Sequence, residues 1–408
     1  MAEPLGGNYW RLWSASAISN LGDGVTVAAL PLLAATLTRD PAAFAGVALA
    51  GRLPWILFAL LAGAIVDRLD RRRLMAAVQV VRFGVLLLLA LAAATDRATL
   101  PILYATAFIL GIAETLFDNA AQTLMPRLVP RTELERANGR LYAVEITANE
   151  FMGPPVGALL FAIAVGLPFL LDAATFAAAS VLILAIGGVH RVESIAPRTS
   201  VRSEIAEGLR WLWRHRLLRA LALMLGALNL IGTATMATFL LFALEVLGVN
   251  EIGFGALLSS TAVGSVVGGL IGGRLTGRFG AGPLLLAVIV LQVAVYSLIG
   301  ITSNPIVVGG MFVIYGFTAI VWNVITVSLR QAIIPDRLLG RVNSVYRFFG
   351  WGAMPIGAAI GGLLAEAFGL RAPWFFAAAT AFLLLTAVPS IRTRTINEAR
   401  SAAEAERS

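Results

Sequence analysis

The chain of 408 residues contains no cysteine, which excludes a disulfide framework, a thiol nucleophile and a thiolate metal site. It contains no lysine either, since all 31 basic residues are arginine. The Gly-x-x-x-x-Gly-Lys-[Ser/Thr] loop of nucleotide-driven machines therefore cannot occur in it. Histidine occurs twice, as His190 and His215, both in one polar stretch, so no histidine cluster is available for a catalytic metal. Charge of any sign is scarce. Charged residues are 13% of the chain, against about 25% in an ordinary soluble domain. With no thiol, no metal set and no cofactor motif, enzyme chemistry has no support and no cofactor is expected. The net charge of +8 does not mark a nucleic-acid binder, because the arginines sit at the ends of apolar runs instead of forming a basic domain.

What the chain has in abundance is apolar length. Hydrophobic residues make up 59%, so lipid must be the solvent for most of the surface. A membrane-crossing helix needs about 20 predominantly apolar residues. Breaks at Gly, Pro and charge clusters leave runs at 10–37, 44–66, 74–94, 100–124, 137–162 and 167–187. A second set follows at 218–247, 252–276, 283–302, 306–330, 341–367 and 371–389. The expected class is an all-α integral membrane protein of twelve spans. Met1 to Gly7 lacks a basic leader and a small-residue cleavage site, so the first run is expected to stay in the mature protein. One set of connections holds Arg68, Arg71, Arg72, Arg73, Arg127, Arg131, Arg136, seven arginines from Arg191 to Arg219, then Arg278, Arg337 and Arg341. The other offers only Arg39, Arg97 and Arg371. The rich side is expected to be cytoplasmic, with both termini on it.

Several short patterns occur twice in the same order. Gly63-Ala-Ile-Val-Asp67-Arg68 returns weakened as Gly273-Arg-Leu-Thr-Gly277-Arg278, and Asn20-Leu21 as Asn229-Leu230. Gln122 to Pro126 returns as Gln331 to Pro335, and Arg136-Ala-Asn138 as Arg341-Val-Asn343. Offsets of 210, 209, 209 and 205 residues indicate an internal duplication. Two parallel six-span bundles are expected, residues 1–187 and 218–395, with the architecture of a transporter that rocks one half against the other. Residues 188–217 form a polar link in which Ile205, Leu209, Leu212 and Trp213 have the spacing of an amphipathic helix at the membrane surface. The polar tail, 396–408, is expected to fray from Arg392 onward.

Gly63, Asp67, Arg68, Arg71 and Arg72 match the signature Gly-x-x-x-Asp-Arg-x-Gly-Arg-Arg between the second and third spans of the major facilitator superfamily, with Asp70 in place of the second glycine. The chain resembles that superfamily over essentially its whole length. The sequence Asn20-Leu21-Gly22-Asp23 further resembles the drug:proton antiporter branch, which holds macrolide efflux pumps and the enterobactin exporter. Gly153, Pro154 and Gly157 partly match the antiporter signature Gly-Pro-x-x-Gly-Gly, with Asn149 and Ala158 departing from it. The arginine signature of a related branch is missing, because 100–124 has no Arg. The resemblance implies two pseudo-symmetric six-helix bundles in a bacterial inner membrane, a monomer, and export of a small amphipathic molecule in exchange for protons. It also implies a cytoplasmic gate in which Asp67 caps the eleventh span near Arg341 and Gly63, Arg68, Arg71 and Arg72 support it. An anion at a helix N-terminus is favourable whatever the family.

Carboxylates inside a membrane are costly and mark function by default. Asp23, Glu114 and Glu150 fall at mid-depth, Asp118 and Glu145 nearer the arginine-rich side, and all five lie in the first half. A carboxylate deprived of water surrenders its charge more readily and can exchange a proton near neutral pH. Asp23 leads as the proton or cation site, with Glu114 second and Asn20 beside them. Arg82 is expected to pair with Asp118 or Glu145 as structural glue. Arg52 would pair with an acid or hold an anionic group. In the second half, Asn229, Tyr315, Trp322 and Asn323, with Thr233 and Thr235, compose a mostly apolar wall with a few polar groups, suited to a bulky amphipathic ligand. Gly264, Gly268 and Gly272 form one small-residue row in the eighth span, and Gly269, Gly273 and Gly277 another, both read as packing faces. The cargo stays open among a multidrug or macrolide-like compound, one natural product such as a siderophore, and a lysophospholipid. A non-transporting membrane sensor is the alternative from another class.

Overall fold

The structure, a computed structural model, describes residues 5–66, 69–130, 133–187 and 201–405. The described residues form helices and connections with no strand. Twelve helical stretches are long and apolar enough to cross a membrane. Their flanks carry large apolar side chains in the open: Leu88, Leu270 and Ile306 expose 68, 70 and 83% of their surface. In water each would cost about 25 cal/mol per Å², so these surfaces are built for lipid.

The first bundle runs through α1 (Gly7–Leu37), α2 (Pro41–Val66), α3 (Arg71–Ala94) and α4 (Leu100–Leu128). It continues with α5 (Leu134–Glu145), a π-helical turn (Ile146–Met152), α6 (Gly153–Ile163) and α7 (Leu167–Leu184). The second is introduced by α8 (Val201–Arg214) and comprises α9 (Arg216–Met236), α10 (Phe239–Glu245), α11 (Glu251–Phe279) and α12 (Ala281–Ile301). After these come α13 (Pro305–Ile333), α14 (Asp336–Phe368), α15 (Ala372–Leu384), a 3-10 segment (Leu385–Ile391) and α16 (Thr393–Ala405). Contacts divide the chain into two compact units, 1–195 with 243–259, and 196–242 with 260–408. Residues 243–259, at the end of the seventh span and the start of the eighth, thus group with the first bundle.

Two of the apolar runs are not continuous helices. The run 218–247 breaks at Ala237–Thr238, separating α9 from α10. The fifth span breaks into α5, the π turn and α6 because Pro154 and Pro155 follow in series. A proline has no N–H and crowds the carbonyl four residues back, so Glu150 and Phe151 lose their α-helical donors. The Ser259 hydroxyl lies 3.2 Å from the Phe151 carbonyl and donates to it, meeting a backbone acceptor that lipid would leave bare.

The expectation that the chain frays after Arg392 is corrected. Thr393–Ala405 is helical, and Ile396, only 2% exposed, belongs to the apolar core of the second bundle with Leu221, Leu285, Ile325 and Ile391. Ala399 packs against the same core, so two apolar side chains dock this otherwise polar segment. In α8, Leu212 is buried in the same core, while Leu209 and Trp213 are exposed.

The two glycine rows of α11 behave differently. A Cβ on Gly264 would collide with the Val313 carbonyl, and one on Gly268 would lie 2.9 Å from the Phe317 carbonyl. From the other side, a Cβ on Gly316 would strike the Thr261 carbonyl. The backbones of α11 and α13 therefore touch where neither helix has a side chain. A Cβ on Gly273 or Gly277 would meet nothing within 4 Å among the described residues, so the second row packs against none of them at those two positions. Gly264→Val should destabilise the folded protein by about 1–3 kcal/mol through overpacking, seen as a lower melting temperature in detergent. Gly273→Ala should leave it unchanged, and equal losses in the two variants would contradict this division of the rows.

Candidate functional site

Three successive residues of α1 address three different neighbours. A Cβ on Gly22 would occupy the positions of Asp172 Oδ1 and Thr175 Oγ1 on α7. A Cβ on Gly24 would strike the Asn149 carbonyl in the π turn. Between them, Asp23 reaches α3, where its Oδ2 lies 3.6 Å from Arg82 Nη1. That distance permits charge attraction but is too long for a hydrogen bond. Any larger residue at 22 or 24 would push α1 away from its neighbours and lengthen the gap further.

Arg82 is almost fully buried, its side chain 3% exposed, while the Asp23 side chain is 35% exposed. The guanidinium lies over two aromatic rings, 5.7 Å from the Phe117 centroid and 5.1 Å from that of Phe176. Those ring faces offset part of the cost of burying a cation. Among the described residues its Nε is buried with no hydrogen-bond partner. The expectation that Arg82 pairs with Asp118 or Glu145 is therefore corrected: its ion pair is with Asp23. Asp118 and Glu114 are half-buried on α4, and Glu145 is exposed at the end of α5. Asp23 interacts electrostatically with Arg82 and Glu114, and Asp118 with Glu114, Arg82 and Glu145. One guanidinium thus serves a group of carboxylates. Glu150 is exposed on the π turn and interacts with Glu145.

Asp172 was missed in the sequence. It is 1% exposed, accepts from the Thr26 hydroxyl through Oδ2, and has Thr175 Oγ1 3.2 Å from Oδ1. The signal was present, a lone acid in the apolar run Leu170-Leu171-Asp172-Ala173-Ala174 near a span end. Gln79, fully buried, was missed as well. Its Nε2 donates to Ser19 Oγ at 3.1 Å, and its Oε1 has no partner among the described residues. Gln292 repeats the arrangement in the second bundle, donating to Thr318 Oγ1 at 2.8 Å. Three residues later the first bundle carries Arg82 and the second Val295.

Asn20 and the antiporter-like motif belong to the same locality. The Asn20 amide donates to the Ser16 carbonyl at 2.8 Å, and its Oδ1 is 3.5 Å from Asn149 Nδ2. A Cβ on Gly153 would strike the Gly24 backbone, and one on Gly157 the Val25 carbonyl. Gly153 and Gly157 therefore let α6 lie directly on α1 beside Asp23, and Pro154 produces the π turn that brings Asn149 there. π turns of this kind concentrate at functional sites.

The remaining expected residues are dispersed. Asp67 and Arg68 lie outside the described residues, and Gly63 falls within α2. Asp70 caps α3 by accepting from the Arg73 N–H at 3.0 Å. Arg72 donates to the Ile186 carbonyl at 2.7 Å, just past the C-terminus of α7, where a cation meets the negative end of the helix. Arg71 is buried. Arg341 pairs with Glu207 of α8, and a Cβ on Gly208 would lie 2.8 Å from the Arg341 carbonyl, so α8 is clamped to α14. Arg52 is exposed on α2. Of the proposed wall, Asn323 is exposed and Tyr315 half-buried, Asn229 donates to the Gly350 carbonyl at 3.0 Å, and Trp322 is 4% exposed inside the apolar core. Behind Tyr315, Tyr296, Phe312 and Trp374 pack ring to ring.

Removing the cation should expose the dependence of the site on it. Arg82→Ala leaves buried carboxylates without their counter-charge and should cost about 3–5 kcal/mol. Adding Asp23→Asn should recover part of that loss, because one uncompensated charge goes with it. A double-mutant cycle on melting temperature measures the coupling, and strictly additive losses would mean that the two side chains do not interact.

The comparisons with known proteins agree with this architecture. The multidrug efflux pump Tap of Mycolicibacterium fortuitum is 29% identical over 392 residues, covering 92% of this chain and 93% of the relative. Tap of Mycobacterium tuberculosis strain H37Rv is 26% identical, with 96 and 94% covered. Macrolide efflux protein A of Streptococcus pyogenes is 24% identical, with 93 and 94% covered. Among solved structures, a point mutant of the nucleoside transporter NupG superposes with a TM-score of 0.79 at 13% identity, covering 94% of this chain and all of that one. A bacterial homologue of the iron transporter ferroportin gives 0.72 at 16%, with 95 and 98% covered. These likenesses bear out the expected all-α, two-bundle transporter fold. The family described as transmembrane secretion effector matches residues 3–407, and the chain belongs to it, as a multi-pass membrane protein of the major facilitator superfamily.

Proposed function

We propose that the protein is a secondary active transporter that exports hydrophobic or amphipathic compounds, of the multidrug or macrolide class, in exchange for protons. Export of drugs is supported by the names of relatives aligned over more than nine-tenths of their length. Proton coupling rests on one observation, the loose pair between Asp23 and Arg82. A tight, doubly hydrogen-bonded pair would hold its charges fixed. At 3.6 Å, with Asp23 partly open and Arg82 sealed, the carboxylate can take a proton while the guanidinium stays charged.

Charge balance points the same way. Asp23, Asp118 and Asp172 interact electrostatically with Arg82, and Glu114 with Asp23 and Asp118; in a medium of low dielectric these four acids cannot all be ionised at once. Such a group holds exchangeable protons. A proton entering from outside would neutralise Asp23; binding of cargo from the inner side would favour its release inward. A membrane potential contributes about 2.3 kcal/mol per charge per 100 mV. In the second bundle, α12 and α13, which carry the Gln292–Thr318 pair, contain no acid. Tyr315, half-buried, and Asn323, exposed, are two polar groups of α13 suited to meeting a large, mostly apolar cargo. We place both termini in the cytoplasm on the arginine distribution, and take the working unit to be one chain.

The test is transport by purified protein in proteoliposomes under an imposed pH gradient, with ethidium, a macrolide and an iron-free siderophore as cargoes. Gradient-driven movement of ethidium or the macrolide is expected, and Asp23→Asn should abolish it. Unchanged gradient-driven efflux in that variant would remove Asp23 from the mechanism. Preference for the siderophore would replace the multidrug reading with a dedicated exporter. Failure of folded protein to move any of the three would favour lipid transfer or sensing.

A further inference from the structure

Helix α8 has three faces, and only one of them is covered by protein. Gly208 and Leu212, four residues apart, are buried, with Trp211 and His215 half-buried beside them. Leu209 and Trp213 form a second stripe, 39 and 47% exposed. Arg210 and Arg214 form a third, both exposed, and Arg216, also exposed, follows at the start of α9. Successive residues turn by about 100°, so the stripes lie side by side around the axis: docked, apolar, basic.

The basic stripe has no counter-charge of its own. Glu207, the acid three residues before Arg210, pairs with Arg341 of α14. Arg210, Arg214 and Arg216 make no ion pair among the described residues. The position of the helix decides what can meet these charges. Only His215 separates α8 from α9, and Arg216–Met236 is long and apolar enough to cross a membrane. Helix α8 therefore lies at the level where a span enters the bilayer. Arg219, in the first turn of α9, donates to the Trp213 carbonyl at 2.9 Å and has its guanidinium 5.9 Å from the centre of the Trp213 ring. That ring is also 5.9 Å from Phe349 of α14, which meets the exposed Phe348. The turn is thus fixed, and the Glu207–Arg341 pair keeps α8 from swinging away as a free link. Tryptophan beside arginine is favoured where hydrocarbon gives way to headgroups.

We propose that α8 is a docking surface for anionic phospholipid, with Arg210, Arg214 and Arg216 on the headgroup phosphates and Leu209 and Trp213 among the acyl chains. An apolar stripe beside a basic one suits this occupant better than a water-soluble anion, which would leave Leu209 and Trp213 bare. A zwitterionic headgroup brings an ammonium with its phosphate and gains less from three uncompensated guanidiniums. Each arginine close to an anionic surface strengthens binding by about fivefold. The docking needs neither antiport nor a particular cargo. Through Glu207 and Arg341 it also ties the start of α14 to the membrane surface.

The experiment places purified full-length protein in nanodiscs of phosphatidylglycerol and phosphatidylcholine in fixed proportion. Bromine, which quenches tryptophan fluorescence on contact, is carried on the acyl chains of one lipid or, in equal amount, of the other. The chain has eight tryptophans, so the signal of Trp213 is the difference between wild type and Trp213→Phe. Bromine on phosphatidylglycerol should quench that signal at least about twofold more strongly than bromine on phosphatidylcholine. Arg210→Gln, Arg214→Gln and Arg216→Gln together should equalise the two lipids. High salt, which screens exposed charges, should do the same in wild type, and this decides the matter if the triple variant does not fold. Equal quenching by both lipids in wild type at low salt would mean an interfacial helix without headgroup selection, and would overturn the proposal. Absence of quenching by either lipid would put α8 in water and overturn it as well.

Discussion

A guanidinium buried among hydrocarbon and aromatic rings requires an anion, and the interior of the first bundle is arranged around that requirement. Arg82 is carried into the bundle by α3, between rings from α4 and α7. Its anion comes from α1, which can approach only because Gly22 and Gly24 flank Asp23. The closeness of α1 in turn depends on Gly153 and Gly157 of α6 and on the π turn before them, which exists because two prolines follow in series. Four helices and a broken fifth span are thereby held in register by one charge. Breaking a buried pair costs several kcal/mol, yet replacing it by apolar residues is often neutral. Retention of the pair in a membrane interior is therefore better explained by what it can do than by the stability it lends.

The second bundle shows what the same architecture does without that charge. Gln292 stands where Gln79 does and makes the same kind of hydrogen bond, to Thr318 instead of Ser19. Three residues on, valine replaces the arginine, and the interior fills with Tyr296, Phe312 and Trp374 packed against one another. At that position there is no cation for an acid to compensate, and dispersion between rings supplies the cohesion. Duplication thus produced two bundles with one packing scheme and different interiors, one with a buried ion pair and one with packed aromatic rings. The cost is asymmetry: α11 and α13 meet backbone to backbone through Gly264 and Gly316, a contact made by absence of side chains instead of by charge.

Much of this was legible in the sequence. The number of spans, the duplication and the confinement of mid-span acids to the first half follow from composition and order alone, because lipid admits only long apolar helices and penalises every charge it contacts. The locality of Asn20, Asp23, Gly153, Pro154 and Gly157 was marked by motif. Their relation was not, since a motif says which residues matter and nothing about which helix each one touches. Arg82 is the plain example. Depth along a span pairs it equally well with Asp118 or Glu145, and only the rotation of α3 about its axis selects Asp23. Asp172 failed for a related reason, because a residue close to a span end can still be sealed when the neighbouring helix is glycine there. Arg72 and Arg341 read as gate residues by position. Among the described contacts Arg72 binds carbonyls beyond the end of α7 and Arg341 binds Glu207 of α8, choices that depend on where helix ends fall in space.

The sequence by itself determined that this chain lives in a membrane, that it is two copies of a six-span plan, and that only one copy carries acids in its interior. These are properties of composition and periodicity, and the solvent enforces them residue by residue. The tertiary structure alone decided which acid holds the arginine, which is sealed, and where the fifth and seventh spans break. Those outcomes depend on helix rotation and on approaches of a few ångströms between backbones, to which residues far apart in the chain contribute together.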